Sequence, residues 1–226
     1  FTSLVLPIGD NDPDDAYSVV AYEKGFNFLL YLERKIGTEK FEAFFQAYIK
    51  RFASSTVDSG EFQECLLQYF ASDSAALGVL QEIDWQAWLY GTGMLPSIVE
   101  YDGTIAAAAE ALANEWIQVD KTGNEPPATD IIDWSSGQLC CFLDAMFSNS
   151  QPMNKSTLIK MNERYEFSKS KNSEILLRYC RLAIAAEDES ILPVVLKFIT
   201  SQGRMKYIRP LYKALFHSKM GENLAV

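Results

Sequence analysis

Residues 12–26 read DPDDAYSVVAYEKGF, and the fold is decided by how this stretch is divided. From Tyr22 onward, Tyr22, Phe26, Leu29, Leu30 and Ile36 recur at the spacing of a helix that buries one face, which predicts a helix over 19–36. Ahead of it stand three carboxylates, Asp12, Asp14 and Asp15, and a second phenol, Tyr17. Acidic groups near a helix start oppose the positive end of its dipole, each contributing about 0.3–1 kcal/mol. Two phenols and several carboxylates at a helix mouth equally suit the wall of an active site. Tyr17 and Tyr22 would diverge by about 140° on a continuous helix. They share a pocket only where the chain between them is partly loop.

Upstream, FTSLVLPI reads as strand-like and is followed by an acidic loop. Asp10, Asp12 and Asp14 have the alternation of a calcium loop, but its sixth position is Asp15 rather than Gly and its twelfth is Ala21 rather than Glu, which excludes that reading. Downstream, helices are predicted at 38–52, with Phe41, Phe44, Phe45, Tyr48 and Phe52 on one face, and at 59–70, capped by Asp58 or Ser59. A segment at 74–90 carries Trp85, Trp88 and Leu89 and reads as core. Gly and Pro concentrate at 91–103, the best boundary in the chain. The expected organisation is a first domain at 1–92, a linker at 93–103 and a second domain at 104–226. Helices follow at 104–120, 135–148, 155–165, 172–187, 189–201 and 208–219, interrupted by a loop through Pro126 and Pro127. Short helices on short polar loops suggest stacked hairpins, although no fixed repeat period is present.

At 226 residues and 48% hydrophobic, the chain can build one large or two modest cores. A net charge of −10 excludes a nucleic-acid surface, which needs clustered Lys and Arg. No window approaches 18 uncharged apolar residues, so no membrane span is expected. Cys65, Cys140, Cys141 and Cys180 lack metal or disulfide spacing and read as buried free thiols in a reducing compartment, the cytoplasm. The chain begins with Phe, and nothing in its last six residues stops the final helix; both features are expected of an excerpt from a longer protein.

Some chemistry is missing. Zinc peptidases hold their metal through three protein ligands, commonly HExxH plus a distant carboxylate. This sequence has one histidine, His217, so HExxH is impossible, and no other Cys, His and carboxylate set has ligand spacing. His217 reads as a residue that compensates a helix dipole. GxSxG is absent, and Gly91 with Gly93 reads as a turn. Alone, this chain is not expected to hydrolyse peptides.

Two cations form a second candidate site. Gly203 suits the end of one helix and Pro210 the first turn of the next, so the chain between them is expected to be extended. Arg204 and Lys206 would then point the same way, whereas on a helix they would diverge by about 200°. Together they could grip a carboxylate, or they could compensate the dipole of the preceding helix. Arg209 reads as a structural ion-pair partner.

The segments AYSVVAYEKGFNFLLYLERKIG (16–37), FEAFFQAYIKRF (41–52), IDWQAWLYGTGMLP (83–96), NSEILLRYCRLAI (172–184) and SQGRMKYIRPLYKAL (201–215) together resemble the C-terminal part of the leukotriene A4 hydrolase and aminopeptidase B family of zinc aminopeptidases. The resemblance runs in order over essentially the whole chain. It implies a mainly α fold, the C-terminal helical lobe of a thermolysin-like catalytic domain followed by an armadillo- or HEAT-like helical stack. It implies one zinc ion held by residues outside this chain, short peptide substrates and a monomeric full-length enzyme. It gives Tyr22 the role of hydrogen-bond donor to the oxyanion of peptide hydrolysis, although Ala21 stands where the family usually has proline. Asp14 and Tyr17 match positions tied to opening a lipid epoxide, so a lipid epoxide acid is a possible second substrate. Arg204 and Lys206 match the residues that hold a substrate's free carboxylate, which favours the clamp. The competing reading is a catalytically inactive helical-repeat interaction module, supported by the missing metal site; retention of Tyr22, Arg204 and Lys206 argues against it.

Overall fold

Helices carry the computed structural model, which describes residues 2–16, 18–148 and 151–221 and contains no strand among them. The chain forms two compact units, Phe1–Tyr101 and Asp102–Val226, dividing inside the Gly- and Pro-bearing stretch at 91–103.

The first unit holds α1 (Pro13–Ala16), α2 (Val19–Ile36), α3 (Thr38–Arg51), α4 (Ser59–Tyr69), α5 (Ser74–Gln81) and α6 (Trp85–Leu89). Local signals set the boundaries. Ser18 caps α2 by accepting from the Val20 amide at 3.3 Å. Gly37, at a φ of 92° that disfavours a Cβ, turns the chain from α2 into α3. Asp58 and Glu61 complete a capping box at α4, with reciprocal bonds of 2.8 and 3.0 Å. Phe28, Leu32 and Ile36 on α2 pack with Phe41, Phe44, Leu66, Leu80 and Trp88. Phe44 is fully buried, with Phe62 and Tyr69 edge-on to it at 6.0 and 5.5 Å.

Two expectations fail here, and one segment resolves into finer elements. The helix at 19–36 forms, but its buried face is Lys24, Phe28, Leu32 and Ile36, while Tyr22 and Phe26 are 62% and 54% exposed. Two apolar stripes run along α2, and the reading from Tyr22 followed the outer one. Of the strand-like FTSLVLPI, the described residues 2–8 are irregular rather than a strand: among the described residues their backbone-to-backbone tie to the rest of the unit is one bond, Val5 N–H to the Leu89 carbonyl at 2.8 Å, too little for a ladder. The segment at 74–90 is two helices, because Asp84 caps a new one by accepting from the Ala87 amide at 2.8 Å.

The second unit holds α7 (Thr104–Thr122), α8 (Ser136–Phe147), α9 (Lys155–Tyr165), α10 (Ser173–Ala185), α11 (Leu192–Thr200) and α12 (Met205–Phe216). It is a helical stack in which α8 packs on α7 and α10, and α10 packs in turn on α12. Because α10 is covered on several sides, it buries seven residues, from Ile175 to Ile184. Cys65 and Cys180 are buried and free, as expected, but Cys140 is half-buried and Cys141 is exposed. Burial pushes the Cys180 thiol up to about 12, which suppresses its reactive thiolate.

Truncating Phe44 to Ala removes the ring at the centre of the first unit. Urea unfolding of the full chain is expected to show a loss of about 3–5 kcal/mol.

Candidate functional site

At the entry to α2, the Asp12 carboxylate accepts from the Asp14 amide at 2.9 Å and so starts α1. That assigns Asp12 a structural duty and leaves the Asp14 side chain exposed. Tyr17 lies outside the described residues. Tyr22 follows in the first turns of α2, on an outer stripe with Val19 and Phe26. Phe26 stacks on Tyr101, with ring centroids 6.3 Å apart, and the Tyr101 hydroxyl donates to the Asn27 side chain.

The opposite face of the same turn explains why Tyr22 points outward. Lys24 is 3% exposed, and its ammonium donates to the carbonyls of Gly91 at 2.7 Å and Thr2 at 3.2 Å. Thr2 in turn accepts from the Gly93 amide at 2.7 Å. One buried cation therefore ties the N-terminal segment and the loop after α6 beneath α2, and fixes the rotation of the helix. Burial lowers the Lys24 pKa from its ordinary value. The sequence reading quoted Lys24 in YEKGF without giving it a role. The signal was present: Lys24 continues the stripe of Phe28, Leu32 and Ile36 at four-residue steps, and a lysine on an apolar stripe needs carbonyl partners.

In the second unit, the expected geometry around Arg204 is corrected. The last helix starts at Met205, not at 208, so Lys206 lies in its first turn and only Arg204, at φ −74° and ψ 111°, is extended. Gly203 does not adopt a positive φ, and Pro210 lies inside the helix, where the Lys206 carbonyl loses its usual amide donor. The helix runs through because Tyr207, Leu211 and Leu215 bury one continuous face across the proline. Arg209 is exposed and forms no ion pair among the described residues.

The two cations still converge, by a different device. Both lie near the ring of buried Tyr207, Arg204 at 5.4 Å and Lys206 at 5.6 Å from its centroid. The Tyr207 hydroxyl donates to Glu174 at 2.9 Å, and the Lys206 ammonium is ion-paired with the same carboxylate oxygen. On its other oxygen Glu174 accepts from Arg178 at 3.0 Å, and Arg178 also donates to Asp144 at 2.9 Å. Asp144 of α8, Glu174 and Arg178 of α10 and Lys206 and Tyr207 of α12 are thus one polar network. The Lys206 ammonium holds the Glu174 carboxyl down at about 2, opposed by its partial burial and assisted by Arg178 and Tyr207. Sequence reasoning missed Glu174 and Tyr207. No local spacing links position 174 to position 206; only the packing of α10 on α12 does.

The structure therefore places Asp14 and Tyr22 in the first unit and Arg204 and Lys206 in the second. A zinc site does not fit these residues. Among the described residues no group of three His, Cys, Asp or Glu side chains could hold a metal, and the sequence has a single histidine.

Comparison with known proteins gives a consistent result. The family model described as Leukotriene A4 hydrolase, C-terminal, matches residues 134–226, and that of the Peptidase family M1 domain matches residues 5–88. The chain is 38% identical to Leucine aminopeptidase 2 of Ajellomyces capsulatus, over 100% of this chain and 36% of that protein. It is 37% identical to the Leukotriene A-4 hydrolase homolog of Botryotinia fuckeliana, over 95% of this chain and 33% of that protein. The chain thus spans about a third of the length of these curated relatives. Among solved structures, native yeast LTA4 hydrolase matches 100% of this chain and 38% of its own at a TM-score of 0.85 and 30% identity. The yeast enzyme in complex with bestatin matches at a TM-score of 0.82 and 29% identity, over 100% of this chain and 38% of its own.

The Glu174 network carries an acid-stability signature. A carboxylate whose pKa is depressed on folding contributes fully above its unfolded value, and the contribution is lost as pH falls through the folded value. Stability of the chain is expected to decline between pH 4.5 and about 2 in part because Glu174 becomes protonated. Glu174→Gln should flatten that part of the decline, read as thermal midpoint against pH.

Proposed function

The chain belongs to the leukotriene A4 hydrolase family, and from that membership we propose that it is the part of a zinc aminopeptidase that supplies substrate and transition-state recognition. In this reading the zinc ion is held by residues outside these 226, and the enzyme trims N-terminal residues from short peptides in the cytoplasm. Tyr22 donates its phenolic proton in a hydrogen bond to the oxyanion that forms as the scissile carbonyl becomes tetrahedral. Arg204, with Lys206 beside it, grips the free carboxylate at the far end of the peptide.

The observation that carries this reading is the presentation of Tyr22. It stands 62% exposed on α2, with its helix locked from behind by the two carbonyl bonds of Lys24. A residue serving only the core would have been turned inward with Phe28 and Leu32. The exposed stripe of Val19, Tyr22 and Phe26 also suits a wall that lines a pocket. Asp14, in the segment ahead of α2, is exposed, which supports extending the substrate range to a lipid epoxide acid, with Asp14 directing water to a carbon away from the epoxide and Tyr17 given the role of lining the lipid pocket by the family resemblance.

In the full-length enzyme, Tyr22→Phe is expected to lose about 2–4 kcal/mol of transition-state stabilisation, seen mainly in kcat. An unchanged kcat would remove the donor role. Arg204→Ala should impair peptides with a free C-terminal carboxylate far more than their C-terminal amides; equal losses on the two would refute the clamp.

A further inference from the structure

Further along α12 lies a second cationic cluster. Arg209, Lys213 and His217 recur at four-residue steps from the middle of that helix to its C-cap and line a cavity of about 650 Å³. Arg181 of α10 and Phe147 of α8 continue its wall. Arg181, Arg209 and Lys213 have no ion-pair partner among the described residues. The one carboxylate lining the cavity among the described residues, that of Glu187, is engaged elsewhere: it accepts from the backbone amides of Lys219 at 2.9 Å and Met220 at 3.1 Å. We propose that this cavity binds a small organic phosphate, with the dianionic group held by Arg181, Arg209 and Lys213 and the carbon skeleton laid on Phe147, Ile184 and Pro210. Neither Arg204 nor Lys206 lines the cavity, and the proposal does not rest on the carboxylate clamp.

Charge, donor geometry and shape favour this class of ligand. Three cations against one carboxylate leave the lining at a net +2 with His217 neutral, in a chain whose total is −10. A phosphate monoester carries about −1.5 to −2 at neutral pH and matches that excess, whereas a single carboxylate leaves about half of it uncompensated. Arg181 stacks on Phe147, its guanidinium carbon 4.2 Å from the ring centroid. Stacking engages the face of the guanidinium and leaves its N–H edges available, in the fork that suits phosphate. Dipole compensation accounts for Lys213, in the last turn of α12, but not for Arg181 or Arg209, which lie inside their helices. The exposed ring of Phe147 and the half-buried Pro210 add an apolar floor, and small-molecule sites commonly span about 300–1,000 Å³. A strongly acidic chain is repelled by an anionic bilayer, which favours a soluble ester over a phospholipid headgroup.

The test is calorimetric titration of the full-length protein with phenyl phosphate at low ionic strength. Benzoate, with the ring but a single charge, and inorganic phosphate, with the charge but no ring, serve as the comparison. Phenyl phosphate is expected to bind saturably and about tenfold or more tightly than either. Arg209→Gln and Lys213→Gln should each weaken that binding about tenfold, the size of one charge-assisted hydrogen bond, whereas Arg204→Ala should leave it unchanged. Both substituted side chains are exposed, so neither change opens the core, and an unaltered thermal midpoint without ligand checks the fold. No saturable binding, or equal affinity for benzoate or inorganic phosphate, overturns the proposal without recourse to any variant. So does a loss of affinity in Arg204→Ala with none in Arg209→Gln and Lys213→Gln, which would put the phosphate in the carboxylate clamp. Vesicles containing phosphatidic acid are the last arm. Binding to them by a protein that ignores phenyl phosphate would assign these cations to a lipid headgroup and overturn the soluble ligand.

Discussion

The ammonium of Lys24 decides which way α2 faces. A helix of 18 residues with apolar groups on two stripes can be packed in more than one rotation, and hydrophobic burial alone separates the alternatives poorly. Burying a lysine is costly unless its charge meets acceptors, and here the carbonyls of Gly91 and Thr2 provide them at 2.7 and 3.2 Å. Once that cation is seated, Phe28, Leu32 and Ile36 must go inward with it, and Val19, Tyr22 and Phe26 must go outward. The exposure of Tyr22 therefore follows from the burial of Lys24 two positions away. The packing of the unit and the geometry of its candidate donor have a common cause.

A comparable logic operates in α12. Pro210 removes one amide donor from the helix interior, a loss of up to about 3 kcal/mol in an isolated helix. The apolar face of Tyr207, Leu211 and Leu215 outweighs it. Because the helix extends upstream of the proline, Tyr207 becomes the hub around which Arg204 and Lys206 gather, and its hydroxyl reaches Glu174 on α10. Had the chain been extended as far as Pro210, the two cations would have shared a direction but had no common floor.

These cases show how far the sequence could be read. Positions of helices were legible because capping residues such as Asp58 and terminators such as Gly37 and Gly123 act locally. The zinc aminopeptidase kinship was legible because YEKGF and GRMK are contiguous. The face of α2 was misread because the apolar pattern had two solutions, and the residue that selects between them is charged. The break inside 74–90 was not legible because an aspartate at a helix start looks the same in sequence as one on a helix surface until its bond to the Ala87 amide is seen. The tie of Glu174 to the candidate clamp was invisible because Lys206 and Tyr207 lie more than thirty residues away along the chain. Pairings of that range are set by helix packing, which no local pattern encodes.

Charge is distributed unevenly between the two units. The first unit carries 15 acidic and 6 basic residues, and the second 15 acidic and 14 basic, so nearly all of the −10 lies in the first. Residues 190–221 contain six Lys or Arg and no acidic residue at all, and α12 lies within them. A field of this kind is long-range and screened by salt, whereas the Lys24 and Glu174 bonds are short-range and largely are not. Net charge and fixed donors are therefore separable physical contributions, built on different residues of the same chain.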